Sequence, residues 1–251
     1  MEKKRLEISE ESLIKMITPD IDPQGGHIVK GIGDDCAVVD CGGGDFFWLL
    51  TQDSVVDGRH FIIGEAEPYK IGWKSVARSV SDIAAMAGEA VGVLVALGLN
   101  EKVDQDWIKK VYDGINGCSS KYGCFLMGGD ISSCENDVFL SVTILGKVKK
   151  EKICYRTGAA EGDFLCVTGS LGGSILAKHL EFYPRIKESG WLADNFEVTS
   201  MIDLSDGLAK DIFHLGLREG LGFCLDYDAI PVSDDAKKLL TGIWRKVFGT
   251  L

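Results

Sequence analysis

Aspartates beside glycines are the residues of this chain best equipped for chemistry. Asp34 and Asp35 follow Gly33, Asp53 follows Thr51-Gln52, Asp130 follows Gly128-Gly129, and Asp203 and Asp206 stand in Ile202-Asp203-Leu204-Ser205-Asp206-Gly207. Asp82 comes four residues after Arg78, off the apolar stripe of its segment. Carboxylates drawn together repel unless cations lie between them, so convergence of this set implies Mg²⁺ or a similar hard ion. Mg²⁺ favours one or two carboxylates plus phosphate oxygens, the arrangement of a metal-bridged nucleoside triphosphate. Catalysis there consists of positioning and charge neutralisation, without a protein nucleophile. Each aspartate also has a structural reading: Gly-Asp-Asp is a common turn, Ser205 can cap the helix after it, and Arg78 with Asp82 fits an ordinary surface pair.

Apolar runs lead into these places. Phe46 to Leu50 reads as a strand ending at Thr51-Gln52-Asp53, and Cys124 to Met127 as one ending at Gly128-Gly129-Asp130. Strand ends that open into glycine turns are where α/β folds place their sites. Val76, Val80, Ile83 and Ala87 recur at helical spacing between about Pro68 and Gly88, with Ser75, Arg78 and Asp82 on another face. Trp107, Val111, Ile115 and Cys118 mark a second helix that stops near Gly123, while Val91–Leu99 and Val138–Val148 read as strands. The expected architecture is two-domain α+β or α/β: a mixed-sheet domain with helices on one face over residues 1–148, then an α/β domain over 149–251. In the latter, Phe164 to Thr168 reads as a strand and Gly169 to Gly173 as a turn opening a helix, a place that can cradle phosphate. Leu208, Ile212 and Leu215 line a later helix, and an amphipathic tail follows Pro231.

Composition narrows the function. The 251 residues carry 27 Lys and Arg against 38 Asp and Glu, a net charge of −11, which opposes a grip on nucleic acid or anionic membrane. An anionic ligand then needs metal ions or local basic residues. No apolar run reaches the roughly 18 residues of a membrane helix, and Met1 to Glu7 lacks a signal-like segment, so a soluble cytoplasmic protein is expected. Eight cysteines without a CxxC pair read as reduced thiols rather than a zinc site. GxxxxGK[ST] is absent, Gly72-Trp73-Lys74-Ser75 being a near miss inside a helix; GxGxxG fails at Cys36, and neither HExxH nor GxSxG occurs. His60, in Asp57-Gly58-Arg59-His60-Phe61, is the histidine nearest the candidate site, with a ligand role and a local hydrogen-bonding role both open.

Taken in order, seven segments carry a resemblance: Gly31-Ile32-Gly33-Asp34-Asp35-Cys36-Ala37, Thr51 to Phe61, Ser81-Asp82-Ile83-Ala84-Ala85-Met86, Gly128-Gly129-Asp130, Arg156-Thr157-Gly158-Ala159, Val167-Thr168-Gly169 and Ile202 to Leu208. The set resembles the thiamine-monophosphate kinases, of the ATP-binding superfamily that also contains aminoimidazole ribonucleotide synthetase and selenophosphate synthetase. The resemblance implies direct in-line transfer of the ATP γ-phosphate to thiamine monophosphate, assisted by several Mg²⁺ ions. It implies Asp35, Asp53, Asp82, Asp130, Asp203 and Asp206 as metal ligands with help from Thr51. Gly129, Asp130, Arg156 and Ser205 would then meet ATP, and His60 the thiamine moiety. A homodimer through the N-terminal sheets is implied too, with the site near the domain junction and the dimer groove.

This sequence departs from the family pattern at Gln52, at Ile131-Ser132-Ser133 and around Pro184, and none of these changes removes a carboxylate. It ends at Leu251, where the family pattern continues into a Gly-Glu-Asp-Tyr-Glu-Leu-like motif. The expectation is a truncated, incompletely covered second domain, with Ile243 to Phe248 as an apolar face lacking its partner. The kinase reading leads, beside a shortened nucleotide-binding relative or a superfamily enzyme with another phosphate acceptor. Selenophosphate synthesis is opposed by the lack of any cysteine between Met1 and Lys30.

Overall fold

The computed structural model describes residues 10–18, 25–176, 178–216 and 220–239. In chain order the elements are α1 (Glu10–Ile17), β1 (Ile28–Lys30), β2 (Ala37–Val39), β3 (Phe46–Val56), α2 (Pro68–Ala85), β4 (Glu89–Leu99), α3 (Gln105–Lys121), β5 (Phe125–Ser133), β6 (Phe139–Lys149), α4 (Ile186–Asn195) and α5 (Leu208–Gly216). Six strands form one mixed sheet in the order β1-β2-β3-β6-β4-β5, antiparallel except for the parallel pair β4 and β5, which α3 connects.

Alternation builds the strands. Leu49, Thr51 and Val55 of β3 are buried on the helix side while Leu50, Gln52 and Ser54 are exposed, and Leu140, Val142 and Ile144 of β6 continue the buried face. Helix α2 starts with Pro68 in its first turn, where a missing N–H costs nothing, and buries Val76, Val80 and Ile83 completely. Asp104 caps α3 by accepting a hydrogen bond from the Trp107 N–H at 2.8 Å. Where α2 meets α3 there is no room for side chains. A Cβ on Gly72 would lie 1.9 Å from the Val111 carbonyl oxygen, and one on Gly114 1.9 Å from that of Tyr69.

The helices and strands expected near 68–88, 91–99, 107–123 and 138–148 form within a few residues of those bounds. Two expected strand ends do not. β3 runs through Asp53 because its pairing with β6 continues to Val56 opposite Phe139, and β5 runs through Gly128-Gly129-Asp130 to Ser133. Glycine at 129 serves close strand approach, since a Cβ there would sit 1.9 Å from the Val95 carbonyl oxygen.

Beyond β6 the chain is different. Phe164 to Thr168, expected as a strand, forms none and pairs with no strand among the described residues, and Phe164 is 94% exposed. The glycine turn opens no α-helix, because Gly169, Gly172 and Gly173 hold φ of 103°, 87° and 72°; a single 3₁₀ turn, Ser174–Leu176, follows. Among the described residues after 150 the sheet gains no strand, and an isolated bridge apart from it joins Leu171 to Val232. The Ile243 to Phe248 face lies outside the described residues. This second half docks on α2: the Trp73 indole N–H donates to the Phe182 carbonyl at 2.9 Å, Tyr183 packs edge-on to Trp73, and Lys70 pairs with Glu181 at 3.0 Å. No helix among the described residues is long and apolar enough to cross a membrane.

Candidate functional site

Three carboxylates meet where the loop before β2, the C-terminal part of α2 and the stretch before α5 come together. One ligand oxygen from each of Asp35, Asp82 and Asp203 lies within 4.8 Å of the others. Asp35 follows a bend at Gly33, whose φ of 105° only glycine adopts without strain. Its neighbour Asp34 fastens that bend, accepting from the Asp35 N–H at 3.1 Å and from the Arg156 N–H at 3.2 Å, with Lys30 at 3.6 Å. Asp82 is held by the Thr51 hydroxyl from β3. Asp203, which belongs to no helix or strand, is held by the Ser81 hydroxyl at 2.9 Å and that of Ser205 at 3.1 Å.

Asp35 is buried and Asp82 and Asp203 are half-buried, and the group is poorly compensated. Arg156 donates to one oxygen of Asp35, but the other is buried with no partner. Burial raises the Asp35 carboxyl to about 7 even against the Arg156 guanidinium, and burial followed by the charges of Asp53 and Asp203 raises Asp82 to about 9. Asp203 is raised by burial as well, with Ser81 and Ser205 opposing. An all-oxygen set with an orphaned buried oxygen fits a hard divalent cation, which would remove both the desolvation cost and the mutual repulsion.

The other expected site residues are placed differently around this group. Asp53 stands at its margin, its carboxylate 2.9 Å from Arg78 and its charge felt by Asp82, so Arg78 pairs with Asp53 rather than with Asp82. Ser205 and Arg156 touch the group directly, and the Arg156 Nε is buried without a partner. Asp206 is exposed and paired with Lys210 one turn along. Asp130 and Gly129 are not brought in. They lie on β5, three strands from β3, and the register puts Asp130 in a row with Ala96 and Ser141 on the sheet face away from the helices. His60 follows β3, its Nδ1 accepting from the Val56 N–H at 3.1 Å; burial and Arg78 lower its pKa.

Sequence reasoning missed the fastening residues. Ser81 was visible inside the Ser81–Met86 segment, and Lys74 inside the near-miss at Gly72–Ser75, but nothing local marks either as a tie to the second half. Lys74 donates to the His60 carbonyl at 2.8 Å and contacts the Nδ1 of His179 at 3.2 Å.

Comparison with known proteins gives concordant results. The model for AIR synthase related protein, N-terminal domain, matches residues 33–148. Thiamine-monophosphate kinase of Rhodopirellula baltica is 35% identical over 216 residues, 84% of this chain and 68% of that protein. The Bacillus subtilis enzyme of the same name is 29% identical, with 92% and 77% covered. Among solved structures, AaThiL complexed with AMPPCP and TMP superposes with a TM-score of 0.83 at 27% identity, covering all of this chain and 82% of that one. The hydrogenase maturation protein HypE in complex with ATP, at 17% identity and a TM-score of 0.68 over 92% of this chain and 72% of that one, shares the fold.

Proposed function

The chain belongs to the thiamine-monophosphate kinase family, and from that premise we propose that it phosphorylates thiamine monophosphate with ATP, releasing thiamine diphosphate and ADP. A phosphate oxygen of the acceptor attacks the γ-phosphorus in line. The new O–P bond forms as the bond to the β,γ-bridging oxygen breaks, and ADP leaves with that electron pair. The observation carrying this reading is the convergence of three carboxylates, one buried and two half-buried, on one point, with an Asp35 oxygen left unpartnered.

Asp35, Asp82 and Asp203 would hold Mg²⁺, with Asp53 and Thr51 beside them and Asp206 at the exposed rim. When bound, Mg²⁺ neutralises phosphate charge and fixes the phosphates in line. The chain's own groups do the rest. Arg156, already directed at Asp35, offers a half-buried guanidinium to the nucleotide phosphates, and Ser205 lies beside it on the Asp203 side. His60 keeps its ring fixed through Val56, so its Nε2 carries the proton and donates on the acceptor side.

Asp130 and Gly129 enter this reading through a homodimer. The sheet face away from the helices exposes Leu50 and Leu94, and among the described residues no strand pairs with the outer edge of β5, where Phe125, Met127 and Ile131 are exposed. An apolar, half-paired edge of this kind suits a second copy, which would bring the partner subunit's strand and its Asp130 toward a neighbouring carboxylate group. A cytoplasmic location belongs to the same reading, supported by eight unpaired cysteines.

Incubation with ATP, Mg²⁺ and thiamine monophosphate, followed by chromatography, tests the proposal. Thiamine diphosphate formed in proportion to ADP is the expected result. Nucleotide binding without that product would overturn it.

A further inference from the structure

Lys74 is the only lysine or arginine among the buried described residues, 8% exposed, and none of their carboxylates pairs with it. Its two contacts are neutral: the His60 carbonyl oxygen at 2.8 Å and the His179 Nδ1 at 3.2 Å. An ammonium has no lone pair to offer, so the His179 Nδ1 is the acceptor of that contact and the proton of its neutral ring sits on Nε2. The same holds for His60, whose Nδ1 is taken by the Val56 N–H. Two imidazoles tied to one helix residue are each left with an Nε2–H to donate. Burial and the Arg78 charge both lower the Lys74 pKa, to about 8, which marks a cation lacking its counter-charge.

The geometry requires long-range docking. His179 lies 105 residues from Lys74 in sequence, and the Trp73–Phe182 hydrogen bond and the Lys70–Glu181 pair hold its segment on α2. Lys74 thus ties His179 to the turn that carries His60, which adds a second imidazole Nε2–H donor beside the residue assigned to the acceptor. We infer that His179 is a second acceptor-binding residue, and that Lys74 is the positioning residue holding it and the His60 turn against thiamine monophosphate. This rests on the proposed function, which puts His60 on the acceptor side.

The test compares His179→Ala, His179→Asn and Lys74→Met with wild type, reading KM for thiamine monophosphate and for ATP separately, with thiamine monophosphate binding measured by calorimetry beside a non-hydrolysable ATP analogue. The inference expects KM for thiamine monophosphate to rise about tenfold or more in each variant while KM for ATP stays within about twofold. Asn can still accept from Lys74 at the Nδ1 position but has no Nε2–H. A wild-type KM in His179→Asn, with a defect in His179→Ala, would reduce His179 to a prop for Lys74 and overturn its binding role. An unchanged KM for thiamine monophosphate in His179→Ala, with wild-type kinase activity intact, would sink the inference and leave the function standing. Wild-type protein that binds nucleotide but neither binds nor phosphorylates thiamine monophosphate would remove the function and this inference together. Circular dichroism guards against misfolding of Lys74→Met; the half-exposed His179 decides the question without it.

Discussion

On the helix side of the sheet, Leu49, Val55, Val93, Leu140 and Ile144 are at most 1% exposed, whereas after β6 Phe164 is 94% and Ile175 72% exposed. The first half places Asp35 and Asp82 by packing: α2 is clamped between sheet and α3, and the loop before β2 is fastened by Asp34. The second half delivers Arg156 and Asp203 through separate polar ties, among them Arg156 to Asp34 and Asp35, Ser81 to Asp203, and the Met201 N–H to the Tyr155 carbonyl at 2.9 Å. A site shared between a packed frame and a docked strap takes its precision from the frame and its completeness from the strap. Ligands that bridge the two should therefore order the second half far more than the first.

Three consecutive residues of α2 separate the contributions. Asp82→Asn keeps the shape and removes a central carboxylate, so turnover should fall about 1000-fold or more with an unchanged circular dichroism spectrum; activity within tenfold of wild type would break the assignment. Ile83→Ala empties a fully buried position of the frame and should cost about 2–5 kcal/mol in urea unfolding. Ser81→Ala cuts the tie to Asp203, worth about 1.5–3 kcal/mol for a hydrogen bond to a charged group. It should slow turnover about tenfold or more and hasten proteolysis of the second half while leaving frame amides protected from hydrogen exchange, and equal loss of protection in both halves would contradict the division.

The fourth expectation concerns protons. Asp35 and Asp82 have folded values of about 7 and about 9 against an ordinary 3.8, both raised chiefly by burial. Without metal, the stability associated with their protonated forms is fully present below the unfolded value and is lost as pH rises through the folded ones. A cation that replaces those protons should raise the melting temperature more at pH 8 than at pH 6, as a thermal-shift series with saturating Mg²⁺ would read. A shift that is flat or larger at pH 6 would argue against these ligands. Smallest of all, Phe164→Ala should stay within about 0.5 kcal/mol of wild type in the same urea experiment that penalises Ile83→Ala.

What could be read in advance follows the range of the forces involved. Val76, Val80 and Ile83 announce α2 because helical periodicity is local, and the same periodicity puts Asp82 off the apolar stripe. Asp35, Asp82 and Asp203 were singled out by residue type and meet in space. Asp130 was misjudged as part of a turn because Gly-Gly-Asp is turn-like in composition, and only pairing with β4 keeps that segment extended. Phe164 to Thr168 failed in the opposite sense: its residues suit a strand, but no neighbour among the described residues pairs with them. Lys74 and His179 lay beyond reach, since their meeting depends on docking across 105 residues of chain.

The contact of α2 with α3 at Gly72 and Gly114 has one more consequence. With backbones touching there, α2 can neither roll nor slide, and Trp73, Lys74, Arg78, Ser81 and Asp82 are graduations on a fixed scale that advances about 1.5 Å and 100° with every residue of the helix. One residue inserted after Gly72 would swing every later mark by about 100°, turning Asp82 from Thr51 and Ser81 from Asp203 together. This helix can change its letters one at a time, but its length is locked.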